Sequence, residues 1–261
     1  MTILGCGSSG GVPRIGGLWG ACDPANPKNR RRRCSVLVER TGVKGSTRVL
    51  IDTSPDLREQ LLAAGAAGVD GVVFTHAHAD HTHGIDELRA VALNTGSRVP
   101  VWADPATAKA LEQRFAYAFK TAEGSEYPPI LDLAVLSASD AFAVSGKGGD
   151  IVLRPFPVEH GNITALGYRI AGTAYTPDLN GVPELSRAAL HGLDCWIVDA
   201  LRRRPHPSHW CLAETLDWIE RFKPGRAVVT NMHIDLDYET LCRELPAHVT
   251  PAFDGMAIDI S

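Results

Sequence analysis

A layered α/β fold is the class this sequence predicts, and three observations predict it. Apolar, β-branched runs alternate with segments of helical spacing along the chain. With 261 residues, 44% of them hydrophobic and 21% charged, the chain can bury a full core. A cluster of metal-binding residue types follows one strand and precedes a helix, where ligand sites of α/β proteins gather. A single domain over 1–261 is expected.

The elements follow in order. ILGC reads as the end of a first strand, and SVLVE (35–39) and RVLIDT (48–53) as the next two, since β-branched residues fit a pleated surface. SPDLREQLLAAG has apolar residues at helical spacing, with Ser54 or Asp56 as cap and Gly65 after the last turn. DGVVFTH (70–76) reads as a strand and GIDELRAVALN as a helix opened by Gly84. VPVWA (99–103) is a strand, and DPATAKALEQRFAYAF a helix capped by Asp104. Residues 120–150 read as an irregular surface excursion. IVLRPFPV (151–158), LGYRIAG (166–172), DCWIVDA (194–200) and RAVVTNM (226–232) complete the strands, and HWCLAETLDWIERFKP is a further helix.

Composition excludes several classes. A net charge of -4 gives no general attraction to nucleic acid or anionic membrane, so a polyanion would need a local patch. Cys6, Cys22, Cys34, Cys195, Cys211 and Cys242 are scattered, without disulfide-framework spacing, so a reducing cytoplasm is expected. No apolar run is long enough to cross a bilayer, and the start lacks the basic and apolar regions of a signal sequence.

The polar cluster is FTHAHADHTHGID (74–86), with four histidines and two aspartates in thirteen positions. Neutral imidazole and carboxylate suit zinc and similar cations, and a tight turn can aim His76 and His78 at one centre, Asp80 and His81 at another. Two ions need six or more ligands, and the turn supplies four. His160 in FPVEHGN, Asp178 in AYTPDLNG and His233 in VVTNMHID all stand just past strands, where the missing ligands are needed.

The order Asp52, His76-x-His78-x-Asp80-His81, His160, Asp178, His233 resembles the metallo-β-lactamase superfamily over nearly the whole chain. GCGSSGGVP, NRRRRCSVLVE, RPHPSHWCLAETL and FDGMAIDI resemble its phosphodiesterase branch, the phosphoribosyl cyclic phosphate phosphodiesterases. That resemblance implies a four-layer αββα sandwich with the metal site at the edge between two sheets. It implies two divalent ions, Zn or Mn: one on His76, His78 and His160, the other on Asp80, His81 and His233, with Asp178 bridging. Asp52 would orient a ligand histidine through its other ring nitrogen. Two such cations lower the pKa of a shared water, and the resulting hydroxide attacks phosphorus.

In the same resemblance His209 is the general acid for the leaving alkoxide, His206 its rival, and Asp178 and Asp80 belong to the catalytic centre. His83 and His191 read as solvated. Ser8 and Ser9 of the glycine-rich loop, Arg32 and Arg33 of the arginine run, and His206 are candidate phosphate contacts. Relatives of this branch carry an accessory zinc on three cysteines and a histidine. Gly20, Ala25 and Leu236 stand at three of those positions beside Cys22, so no accessory zinc is expected.

The implied substrate is a small cyclic or nucleotide-like phosphodiester, with no stable nucleic-acid partner, no membrane, and a homodimeric assembly. A tRNA 3′-end ribonuclease would need a clamping arm and a basic face, neither of which the sequence has. A thioester or lactam hydrolase of the same fold is the other alternative. The electron-transfer diiron members favour a carboxylate where His78 stands.

Overall fold

The computed structural model describes residues 1–121, 123–137 and 139–260. Strands β1 (Thr2–Gly5), β2 (Ser35–Gly42), β3 (Gly45–Ile51), β4 (Gly71–Val73), β5 (Val99–Ala103) and β6 (Leu131–Val135) form one sheet in that order. The second sheet contains β7 (Phe142–Val144), β8 (Ile151–His160), β9 (Ile163–Ile170), β10 (Thr173–Thr176), β11 (Cys195–Asp199), β12 (Arg226–Thr230) and β13 (Val249–Pro251), neighbours in chain order throughout. Helices α1 (Leu57–Ala63), α2 (Ala79–Thr82), α3 (Leu88–Thr95), α4 (Pro105–Arg114) and α5 (Ala116–Phe119) accompany the first sheet, and α6 (Leu212–Phe222) and α7 (Tyr238–Glu244) the second.

The side-chain period of a strand explains the layers. In β3, Val49 and Ile51 face Phe156, Val158 and Tyr168 of the second sheet, while Leu50 between them joins Leu57, Leu61 and Leu88 of the helices. Both faces are therefore buried, one by a sheet and one by helices. Trp196 of β11 packs its ring on Phe222 of α6, at 5.8 Å between centroids, which closes the other outer face. The result is an αββα sandwich.

Strand direction places the site. β3 and β4 are parallel, and β10, β11 and β12 are parallel. β8 reaches the direction of β10 through two antiparallel steps, and β1 that of β3 in the same way. The carboxyl ends of β1, β3 and β4 thus leave one edge of their sheet, and those of β8, β10, β11 and β12 one edge of theirs. Backbone contacts from Gly7 to Arg33 and to Met232 join the two edges.

Four local expectations need correction. The helix expected from Gly84 starts as a 3-10 turn (Ile85–Glu87) before α3, and the one from Asp104 breaks at Phe115 between α4 and α5. Asp104 does cap α4, accepting from Ala106 N at 2.9 Å and Thr107 N at 3.3 Å. Asp56 precedes α1 but makes no cap bond, because its carboxylate is taken by Arg33. The 120–150 stretch, whose residues 122 and 138 lie outside the described ones, carries β6 and β7. These short edge strands take their order from β5 and β8, which a local pattern does not reveal.

Candidate metal centre

The turn after β4 brings its histidines against two distant strand ends. His76, His78, His160 and Asp178 each offer a ligand atom, all within 4.8 Å of one another, and Asp80, His81 and Asp178 form a second such group. Asp178 belongs to both. Its Oδ2 lies 3.6 Å from the Nε2 atoms of His76 and of His160, and its Oδ1 lies 3.4 Å from His81 Nε2. One carboxylate oxygen faces each group, the disposition a bridging ligand requires.

The opposite ring nitrogens are fixed by hydrogen bonds. His81 Nδ1 donates to Asp52 Oδ2 at 2.7 Å, and His160 Nδ1 to the Ser208 carbonyl at 2.6 Å. Thr75 Oγ1 donates to Asp52 Oδ2 at 2.7 Å and stands 3.0 Å from His76 Nδ1, whose proton it accepts. Each bond leaves a lone pair on Nε2, turned toward Asp178. Asp52 reaches both partners from a left-handed backbone, φ 64°, uncommon outside glycine and frequent at functional sites.

The buried Nε2 atoms of His76 and His81 have no hydrogen-bond partner among the described residues. A native fold seldom leaves buried polar atoms unsatisfied, so these two fit a cation. The electrostatics agree. Burial holds His76 well below the usual imidazole pKa and lowers His78 and His160 too, keeping them neutral as ligands must be. At His81 burial works downward, but Asp178, Asp80 and Asp52 overcome it and raise the ring well above its usual value. That excess of negative charge is what a divalent cation would neutralise.

His209 stands beside the first group, its ring 4.6 Å from that of His160. Its Nδ1 donates to Asp199 Oδ2 at 2.7 Å. Burial opposes a charged ring, yet the Asp199 carboxylate brings His209 up to about 9. Burial also pushes Asp199 up, to about 7, but bonds from Leu179 N at 3.2 Å and Asn231 Nδ2 at 3.2 Å stabilise its charge, so the proton belongs on His209. The Asn231 amide has two hydrogens, and it also donates to Asp178 Oδ1 at 3.1 Å. Asn231 thereby ties the bridging carboxylate to the His209–Asp199 pair.

The other expected site residues stand outside the two ligand groups. His233 is in neither ligand group: its Nε2 meets Arg14 Nη2, and its Nδ1 is 3.4 Å from Asp235 Oδ1. The Arg14 guanidinium occupies the ring nitrogen that a cation would need. Arg32 and Arg33, expected to hold phosphate, are committed to carboxylates instead, Arg32 to Asp254 at 3.0 Å and Arg33 to Asp56 at 2.7 Å. Ser8 is buried with an unpartnered hydroxyl, and Ser9 is exposed. A Cβ at Gly7 would come within 2.9 Å of Arg31, so close packing explains a glycine in that loop. His206 keeps its ring 5.1 Å from that of His209, and its Nδ1 accepts from Ser208 N at 3.3 Å. Cys22 is buried, 3.8 Å from Arg31 Nη1, and Arg31 donates onward to Asn29 Oδ1 at 3.2 Å and the Leu236 carbonyl at 2.6 Å.

Sequence reasoning missed Asp199, Asn231, Thr75 and Arg14. Asp199 carried a usable signal, since it ends a strand as Asp52 and Asp178 follow theirs. Asn231 and Arg14 carried none.

A family model described as a beta-lactamase superfamily domain matches residues 47–234, which hold both ligand groups and His209. The chain belongs to the metallo-β-lactamase superfamily. Among solved structures, a diphosphatase from the PhnP family is 35% identical with a TM-score of 0.87, over 100% of this chain and 97% of that one. This places the superfamily chain in the PhnP-like branch and makes it an enzyme, a hydrolase. Zn(2+)-bound PqqB from Methylobacterium extorquens is 19% identical, TM-score 0.75, with 99% of each chain covered. Human tRNase Z, short form, is 17% identical, TM-score 0.66, over 100% of this chain and 98% of that one, and both likenesses are of fold alone. A curated octanoyltransferase of Porphyromonas gingivalis is 30% identical over 259 residues, 97% of this chain and 50% of that protein. The chain spans half the length of that relative.

Proposed function

We propose that this hydrolase cleaves a small cyclic or nucleotide-like phosphodiester, using two divalent ions, Zn or Mn. The observation that carries the proposal is the His209–Asp199 pair standing against the two carboxylate-bridged ligand groups. His76, His78 and His160 would hold one ion, Asp80 and His81 the other, with Asp178 between them. His233, just past the end of β12, would complete the second set once Arg14 leaves its Nε2. When bound, such ions activate water and neutralise charge on a phosphoryl group.

The chain's own residues do the rest. Asp52 and Thr75 keep the tautomers of His81 and His76. Asp199 keeps the His209 proton on Nδ1 and the ring charged, so Nε2 can give its proton to the departing oxygen of an ester. Asn231 keeps that donor in register with Asp178. Resemblance to a PhnP-family diphosphatase supports chemistry at phosphorus.

The acyl-transfer name belongs to a relative twice this length, and Cys34, the thiol beside Asn231, offers acyl transfer little. Cys34 is buried, which raises its pKa well above the usual thiol value, and it lies in a packed contact with the Gly7 carbonyl at 3.6 Å. The test is to purify the protein gently, measure bound metal, and screen bis(p-nitrophenyl) phosphate beside cyclic and linear nucleotides and thioesters. Two ions with turnover of phosphodiesters is expected. Thioester turnover without phosphodiester turnover would overturn the proposal.

A further inference from the structure

Several arginines stand around the centre, Arg114 donating to the Ala77 carbonyl and Arg202 to the carbonyls of Arg204 and Pro205 among them. Arg31 is buried among neutral acceptors, and Arg32 and Arg33 each hold a carboxylate. Among the described residues Arg14 has no carboxylate partner, and the side-chain partner of its guanidinium is the Nε2 of His233.

That pairing uses one acceptor for a group with five donors and a permanent charge. It also cannot survive the ligand role given to His233 above, because a nitrogen that binds a cation has no lone pair left for a guanidinium. Arg14 must then turn to another acceptor.

Its place in the fold favours one from outside. The loop's base is held by paired backbone bonds between Val12 and Arg31, at 2.9 and 2.8 Å. Beyond it Arg14 and Leu18 close a small turn, Arg14 N donating to the Leu18 carbonyl at 3.0 Å. The tip stands in solvent, with Ile15 fully exposed and Leu18 half exposed. Arg14 itself is half-buried, between the fixed base and the free tip, and its side chain reaches back to the edge where the ligand groups lie.

We infer that Arg14 is an anion clamp: in the metal-loaded enzyme it binds the phosphate oxygens of the substrate. The inference rests on the proposed role of His233 and deepens the phosphodiesterase reading. A planar guanidinium gives two parallel donors to a phosphate, which a lysine does not reproduce.

The test uses the full chain loaded with Mn or Zn, and inorganic phosphate as probe. Metal content is measured for wild type, Arg14→Gln, Arg14→Lys and Gly10→Ala, and phosphate is titrated calorimetrically into each. A Cβ at Gly10 would stand 3.2 Å from Arg14 Nε and 3.3 Å from its Cγ, so Gly10→Ala shifts the side chain by a few tenths of an ångström without changing charge. Arg14→Gln should keep the wild-type metal content and bind phosphate about 10- to 100-fold more weakly, the usual worth of a charge-assisted pair. Arg14→Lys should fall between, and Gly10→Ala should also weaken binding. Unchanged phosphate affinity in Arg14→Gln overturns the clamp, as does loss of metal, which would make Arg14 a support for His233. If wild type turns over no phosphodiester while the phosphate affinities still differ as expected, the clamp stands and the substrate class is what fails.

Discussion

In the proposed function, His209 is the residue at which hydrolysis separates from mere metal binding. A ring held near pKa 9 by Asp199 is protonated at neutral pH and ready to donate. His209→Ala should keep the bound metal but lose about 10²- to 10⁴-fold in kcat on a nucleoside ester, the worth of a general acid. On p-nitrophenyl esters, whose leaving group needs little help, the loss should be far smaller. Equal losses on both would assign His209 to charge stabilisation instead. Asp199→Asn should show the same leaving-group dependence, since the amide no longer holds the ring charged. His206→Ala should be mild on both substrates. Asp178→Ala removes the carboxylate shared by both ligand groups, so most activity and part of the bound metal should go, as metal analysis and kcat would reveal.

At the scale of elements, the ligand turn depends on how α2 is held. Gly84 stands just past the His83 cap of that helix, and a Cβ there would come 2.0 Å from the Ser54 carbonyl and 2.9 Å from Leu57 Cβ. Gly84→Ala should therefore cost about 1–3 kcal/mol by overpacking and weaken metal binding with it. Thermal melts and metal titration check this, and an unchanged melt would mean the backbone yields freely. Helix α7 offers a pH test. Burial would raise Asp237, but bonds from Thr240 N at 2.9 Å, Asp23 N at 3.2 Å and Asn29 Nδ2 at 2.7 Å hold it down to about 2. A carboxylate depressed in the fold contributes stability above its unfolded pKa, about 3.9, and that contribution is lost as the pH falls through 2. Asp237→Ala should cost about 1 kcal/mol at pH 7, as lost caps do, and the difference from wild type should shrink below pH 4. A gap that stays constant down to pH 2 would deny the carboxylate that role.

For the whole molecule, the site joins the two halves of the sandwich, since Asp52, His76, His78, Asp80 and His81 follow strands of the first sheet, His160 ends a strand of the second, and Asp178 and Asn231 follow strands of the second. A cation held by both should therefore stabilise the entire fold. Chelation should lower Tm, and restoring metal to about 100 times its Kd should return about 2.7 kcal/mol of apparent stability. A Tm indifferent to chelator and to added metal would mean that the cluster binds no ion.

Much of this was legible in the residues alone. Continuous apolar runs such as the VLI of RVLIDT announce strands buried on both faces, and His-x-His-x-Asp-His after a strand announces a metal turn, because both signals are written in neighbouring positions. The outer candidate ligands were legible as polar residues, His160 at the end of a strand and Asp178 just past one. What the charged groups bind was not. Arg32 and Arg33 looked available for phosphate until the fold brought Asp254 and Asp56 to them, and His233 looked free until Arg14, 219 positions away, lay against it. Asn231 meets Asp178 across 53 positions. Burial and period are properties of a segment and survive in the sequence. The partner of a charge depends on which strand ends share an edge, and that is set by sheet order and direction, which long-range packing imposes.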